Sequence, residues 1–439
     1  MKYYSTNRQV PPVSLRTAVI KGLAADNGLF MPMSVQPLGE GFFEGIQHFS
    51  FQEIAFAVAL RFFGDDIDRQ HLHQIVNETL SFDCPVVPVK DNIWSLELFH
   101  GPTLAFKDVG ARFMARMLRY FLKDNKSVVN VLVATSGDTG SAVANGFLGV
   151  EGINVFVLYP RGKVSEIQEK QFTTLGQNIT AIEVDGTFDD CQRLVKSAFL
   201  DHDLNKKFLL TSANSINVAR FLPQSFYYFN AYARLKERGE MKDKELVFAV
   251  PSGNFGNLTA GLFAMEMGLP VSRFLAANNE NDVVYEYLQT GEYHPRPSVE
   301  TLANAMDVGT PSNFARILDL FGDSHVKISS VMKGFRYSDD EITEMIKKVF
   351  RDTGYLLDPH GACGYAALEE YLDENQTGIF LETAHPAKFT DTMERIIGPG
   401  NVPMPDTLAK YLKGKREVVG LSSDFWEFRQ WLVNELNNS

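Results

Sequence analysis

Lys107 lies near the end of the run Leu-Phe-His-Gly-Pro-Thr-Leu-Ala-Phe-Lys-Asp, residues 98–108. Burial behind such an apolar stretch favours the neutral, nucleophilic amine, and the neighbouring Asp108 carboxylate could stabilise an iminium. The chemistry this offers is Schiff-base formation with a carbonyl compound. The competing reading is an ordinary surface lysine, its stem on apolar atoms and its ammonium in water.

Other segments have the composition of anion sites. Thr135-Ser-Gly-Asp-Thr-Gly140 follows an apolar run and precedes a helical period. Small residues there let backbone approach a ligand, and three hydroxyls join the N–H groups of a helix start, although Asp138 or Thr139 could simply be an N-cap. Pro251-Ser-Gly-Asn-Phe-Gly-Asn257 has the same setting, and Gly253 and Gly256 make a nest of backbone donors suited to a phosphate. It lacks both the Gly-x-Gly-x-x-Gly and the Gly-Lys-Ser/Thr patterns, which argues against dinucleotide and nucleoside triphosphate binding.

Asn214-Ser-Ile-Asn-Val-Ala-Arg220 supplies amides, a hydroxyl and a guanidinium that could grip phosphate in a bidentate manner. Equally, Asn214 and Ser215 could cap the helix that carries Arg220. Thr383 lies just past a late apolar run, where an uncharged hydroxyl could face a bound ring. His385, before a proline, reads more readily as a structural group than a proton shuttle, and His71 and His73 on an exposed helix carry less still. No cluster has metal-ligand spacing, so no metal is expected, and no Gly-x-Ser-x-Gly elbow is present.

These loops need strands to hold them. After residue 125, short apolar runs alternate with turns and helical periods, the rhythm of βαβ units. Strands are expected at 128–134, 154–159, 179–184, 246–250, 273–277 and 378–381, with helices at 189–200 and 258–267 between them and a packing helix from Asp424. Such alternation predicts parallel sheet covered on both faces, with ligand groups gathered at the carboxyl ends of the strands. Residues 1–90 read as a mainly helical cap, with an apolar helix from Phe51 and Pro85 and Pro88 closing the segment.

The 439-residue chain is 45% hydrophobic and 22% charged, ordinary for a soluble protein of two or three domains. A net charge of -12 with no dense basic cluster argues against nucleic acid as a partner. Cys84, Cys191 and Cys363 are far apart, which predicts neither disulfides nor zinc. No apolar run has membrane-spanning length and the N-terminus lacks a signal-like core, so a cytoplasmic protein without membrane association is expected. Monomer and homodimer both remain open.

Taken in order, the segments Leu98–Asp108, Ala134–Gly140, Tyr159–Lys163, Ser212–Asn217, Pro251–Asn257 and Thr383–Phe389, with the opening Asn27-Gly-Leu-Phe-Met-Pro, resemble those of the threonine synthase family. That family belongs to the tryptophan-synthase-β-like, fold type II group of pyridoxal phosphate enzymes. The resemblance implies an α/β fold of two parallel-sheet subdomains plus a mainly helical N-terminal domain. Its divisions would be an N-terminal domain at 1–90 and a catalytic region at 91–439, with a smaller subdomain at about 125–215 and the remainder in the larger.

It also implies that Lys107 is the cofactor lysine, that Gly253, Asn254, Phe255, Gly256 and Asn257 cup the cofactor phosphate, and that Thr383 faces the pyridine nitrogen. Asp138 replaces the asparagine that many relatives of the wider group place near the ring hydroxyl, and either touches that hydroxyl or shapes the loop. Thr135, Ser136 and Thr139 would hold a substrate carboxylate, and Asn214, Ser215 and Arg220, joined by Lys163, its phosphate. The implied reaction is conversion of the small-molecule substrate O-phospho-L-homoserine and water into L-threonine and inorganic phosphate, a lyase step with Lys107 as base. A serine or threonine dehydratase, a cysteine synthase and a noncatalytic binding relative are the alternatives.

Overall fold

The computed structural model describes residues 1–123 and 128–438. Its larger sheet has six strands in the order Met332–Arg336, Arg273–Asn278, Glu245–Pro251, Gln376–Glu382, Ile93–Glu97 and Val86–Lys90. All neighbours are parallel except the last two, which form an antiparallel hairpin at one edge. The smaller sheet is wholly parallel, in the order Val419–Ser422, Ile179–Asp185, Ile153–Pro160, Val129–Ala134 and Leu209–Ser212.

The central strands read as continuous apolar runs because helices cover both faces. All six residues of Val129–Ala134 are buried, and so are the last six of Glu245–Pro251. Each expected strand and helix is present within a few residues of its predicted position. The short strands Val86–Lys90, Ile93–Glu97, Leu209–Ser212, Met332–Arg336 and Val419–Ser422 escaped notice, being too brief to show a period.

The C-terminus departs from the expected subdivision. Instead of remaining with the larger sheet, Val419–Ser422 adds the edge strand of the smaller one, and Phe428 and Leu432 of the following helix are buried in that sheet's core. Order along the chain does not report which sheet edge still has unpaired N–H and C=O groups to offer. The N-terminal segment also contains a small antiparallel sheet, with Lys2–Ser5 between Val13–Ser14 and Phe30–Pro32, in addition to its helices. Of these helices, Phe51–Phe63 is held at its start by a reciprocal Ser50–Glu53 capping box.

This topology directs the carboxyl ends of both parallel sheets toward one cleft. The loops after Val129–Ala134 and Leu209–Ser212 meet those after Glu245–Pro251 and Gln376–Glu382, as an open α/β sheet requires of a ligand site. Among the described residues, no helix is long and apolar enough to cross a membrane.

Candidate active site

Lys107 is the first residue of the helix Lys107–Leu122. The chain reaches it through a backbone framework shared with the end of strand Gln376–Glu382. Leu98 N–H donates to Glu382 O at 3.0 Å, Phe106 N–H to Thr383 O at 2.8 Å and His385 N–H to Leu104 O at 3.1 Å. Lys107 and Thr383 are therefore fixed relative to each other by main-chain bonds, and both line one cavity with Gly253.

The lysine is only partly covered because it faces that cavity, yet protein surrounds it closely. Burial is the main cause that lowers its pKa to about 8; the Asp138 carboxylate opposes the shift, and the cations Lys388 and Arg220 reinforce it. Asp108 takes no part in this. Its carboxylate accepts Thr103 N–H at 2.9 Å and the Thr103 hydroxyl at 2.6 Å, which holds the approach loop.

On the opposite wall the backbone N–H groups of Gly253, Asn254, Phe255, Gly256 and Asn257 meet no acceptor among the described residues. They cluster at the start of the helix Gly256–Glu266, where the macrodipole adds positive potential. Phe255 holds this turn in a left-handed conformation, φ 61°, uncommon for an aromatic residue and characteristic of functional loops. Asn257 closes the loop by donating to Pro251 O at 2.8 Å, and Ser312 reaches Asn254 Oδ1 at 3.2 Å. A side chain at position 253 would lie 2.8 Å from Ala305 O, so only glycine allows the loops to approach each other.

The third wall comes from the smaller sheet. Thr135 gives its hydroxyl oxygen to the loop itself, accepting from Gly137 N–H at 2.9 Å and Gly140 N–H at 2.8 Å. Ser136 and Thr139 line the cavity. Asn214 Nδ2 donates to Ala134 O at 3.1 Å, and Ser215 Oγ accepts from Asn313 at 3.1 Å, leaving its hydroxyl proton to donate inward. Arg220 is 2% exposed; one nitrogen donates to Ala213 O, and its buried Nε has no partner. Burial lowers its pKa to about 10, so it remains a cation at neutral pH.

Two expected contributors stand elsewhere. Asp138 does not line the cavity. Its Oδ1 pairs with Lys388 Nζ at 2.6 Å and accepts from Gln168 Nε2 at 2.8 Å, the partners a buried carboxylate requires. Lys163 lies in an outer cleft of about 770 Å³ that shares Ser136, Phe188, Asn304 and Asp307 with the inner cavity, and its ammonium is 3.7 Å from Glu300.

Three groups at or behind the site went unread in the sequence. His360 lines the cavity, with Nδ1 2.7 Å from Asp358 and Nε2 accepting Ala305 N–H at 3.2 Å, so it holds the loop Asn304–Val308 over the site. Its setting, an Asp N-cap followed by proline at a helix start, was a possible signal. Lys388 and Gln168 had none, since their partners lie far away in the chain. His385 is a structural group: Nδ1 accepts Ala387 N–H at 3.1 Å, and burial lowers its pKa to about 4.

Comparison with known proteins adds the following. The family described as "Pyridoxal-phosphate dependent enzyme" matches residues 84–381, "Threonine synthase N terminus" matches 2–80, and "Threonine synthase, C-terminal" matches 361–431. The chain is 43% identical over 433 residues to threonine synthase of Haemophilus influenzae, covering 99% of this chain and 100% of the relative. It superposes on the crystal structure of threonine synthase from Escherichia coli with a TM-score of 0.92 at 40% identity, covering 99% and 100% of the two chains. For the pyridoxal phosphate-bound threonine synthase of Brucella melitensis the TM-score is 0.91 at 34% identity, with 99% of each chain covered.

Proposed function

Because the chain belongs to the threonine synthase family of pyridoxal phosphate-dependent enzymes, we propose that it converts O-phospho-L-homoserine and water into L-threonine and inorganic phosphate. The observation that carries this reading is the pairing of two separate anion-binding walls around one lysine: the N–H groups of 253–257, and Asn214, Ser215 and Arg220. One phosphate wall would suffice for a cofactor alone. A second fits a substrate that brings a phosphate of its own.

The donor set suits pyridoxal phosphate. Five free N–H groups at a helix start match a phosphate, Lys107 matches an aldehyde, and Thr383 offers an uncharged partner for a pyridine nitrogen. The nearest carboxylate to Thr383 in the chain, Glu382, is turned aside to accept Asp358 N–H at 2.6 Å, and burial pushes its pKa well up. Bound cofactor supplies the electron sink that makes loss of protons beside the amino carbon feasible.

The remaining steps belong to the chain's own side chains. Ser136 and Thr139 hold the substrate carboxylate, and Lys107, neutral once freed, takes the proton from the α carbon. A second proton leaves the β carbon as phosphate departs from the γ carbon; a proton then returns to the γ carbon to make the methyl group, the hydroxyl of water adds at the β carbon, and the α carbon is reprotonated as threonine forms. Arg220, Asn214 and Ser215 bind the departing phosphate and stabilise its growing charge. The walls and the Asn304–Val308 loop limit water to what the cavity admits.

Release of phosphate and threonine from O-phospho-L-homoserine, measured beside ketoacid formation from serine, tests the reading. Phosphate release without ketoacid is expected; ketoacid without phosphate release would make the protein a dehydratase.

Two further results are expected. Gly253→Ala should weaken pyridoxal phosphate binding by about ten- to a hundredfold, because its Cβ meets backbone at Ala305 O and Met306 Cα, 2.8 and 2.9 Å away, and overpacking costs about 1–3 kcal/mol. Fluorescence titration of the apoprotein measures it, and unchanged affinity would show that the loop yields freely.

Capture of the cofactor needs the neutral amine. Its rate should therefore rise with pH and level off above about 8, where Lys107 loses its proton, not near the ordinary lysine value of 10.5. Stopped-flow absorbance across pH 6–10.5 distinguishes the two, and a rate still climbing at pH 10 would place the amine in water.

A further inference from the structure

Arg316 lies behind the cavity, in the helix Phe314–Leu320, and is fully buried. Its Nε and one terminal nitrogen donate to Phe30 O at 3.2 and 3.1 Å, and its other terminal nitrogen to Ser215 O at 3.2 Å. Ile216 O and Asn313 Oδ1 complete the set, and the guanidinium carbon stands 4.0 Å from the centre of the Phe221 ring. All these acceptors are neutral, and among the described residues no carboxylate forms an ion pair with it.

A buried cation without a counter-ion is expensive, and neutral carbonyls offset only part of that cost. Burial lowers the pKa of Arg316 to about 9, still above neutrality, so the charge persists. Asn313 links it to both anion walls, because its Nδ2 donates to Ser215 Oγ at 3.1 Å and its N–H to Asn254 O at 3.1 Å.

We propose that Arg316 is a positioning residue whose uncompensated buried charge supplies positive potential to the phosphate wall at Asn214 and Ser215, while its fork anchors that loop to the N-terminal segment through Phe30. The inference rests on the reading of that wall as the holder of the substrate phosphate. It gives the N-terminal segment a physical link to the site, since Phe30 O is one of the acceptors that keep the guanidinium in place.

Asn313→Asp sets a carboxylate against Arg316 while leaving the fork its acceptors; because it also removes the Nδ2 donor to Ser215 Oγ, Asn313→Ala, which removes that donor without adding charge, is measured beside it. In the holoenzyme, inhibition by inorganic phosphate should weaken about tenfold, and KM for O-phospho-L-homoserine should rise by a similar factor with kcat within about twofold. Arg316→Gln should show the same loss, and Arg316→Lys, which restores the charge, should keep phosphate inhibition within about threefold of the original. Unchanged phosphate inhibition in Asn313→Asp, or equal loss in Arg316→Lys and Arg316→Gln, would overturn the proposal. If either arginine variant fails to fold, the Asn313 pair decides: a loss in Asn313→Asp no larger than in Asn313→Ala would overturn the proposal. Parent enzyme that inorganic phosphate does not inhibit would overturn the phosphate reading itself, and this inference with it.

Discussion

Lys107→Ala is expected to lower threonine formation by more than about 10³-fold while the protein stays folded. The loss combines the covalent anchor with a general base, and a positioned base alone contributes about 10²–10⁴-fold. Folding should change by less than about 1 kcal/mol, because among the described residues the ammonium enters no ion pair and its close structural contact is the Phe106 ring, 5.3 Å from its centre. Two measurements check this: phosphate release from O-phospho-L-homoserine, and the mass of the protein after borohydride reduction with cofactor. The parent should gain a covalently fixed cofactor and the variant should not. A variant that keeps more than a tenth of the activity would remove Lys107 from the mechanism.

Lys388→Met should produce the largest loss of stability. Lys388 is 1% exposed, and its ammonium lies 2.6 Å from Asp138 and 2.8 Å from Thr103 O. Burial by itself pushes the Asp138 pKa up, but the cations Lys388 and Lys107 outweigh it and hold the carboxyl well below its usual range. Removing Lys388 strands a buried carboxylate with Gln168 as its remaining direct partner, at a cost of about 3–5 kcal/mol near neutral pH.

The pH dependence has a definite sign. In the parent, the folded pKa of Asp138 lies below its unfolded value near 3.8, so the stabilisation is complete above that pH and declines only in strong acid. In the variant the carboxyl titrates higher, so the penalty should shrink as pH falls from 7 toward 5. Urea unfolding at both pH values measures it. Pairing Lys388→Met with Asp138→Asn should recover much of the loss, since neither charge then remains alone. A single-variant loss below about 1 kcal/mol would show that water reaches the pair.

Both predictions concern residues in matched sequence segments, but the sequence spoke clearly about only one of them. Lys107 was legible because its apolar approach and short-range neighbours are local. So were the loops at 135–140 and 251–257, where glycines and hydroxyls follow apolar strands. Asp138 was legible as a member of its loop but not in its direction, and Lys388 stood in a quoted segment without a role. Thr135 lines the cavity, yet its oxygen is occupied in holding the loop.

What the sequence by itself determined was the local grammar of the molecule. Apolar runs of strand length, helical periods and glycine turns are set by neighbours a few residues apart, and they were sufficient for parallel sheets with ligand loops at their carboxyl ends. The tertiary structure decided which charges meet. Arg316 finds Phe30 O across 286 positions, Lys388 finds Asp138, and Val419–Ser422 returns to an edge of the smaller sheet. Electrostatic and hydrogen-bond energies depend on distance and burial in space, and sequence periodicity carries neither. The N–H groups of residues 253–257, without an acceptor among the described residues, are the clearest case: any chain has such groups, and only the folded backbone brings them to the cavity that Lys107 lines.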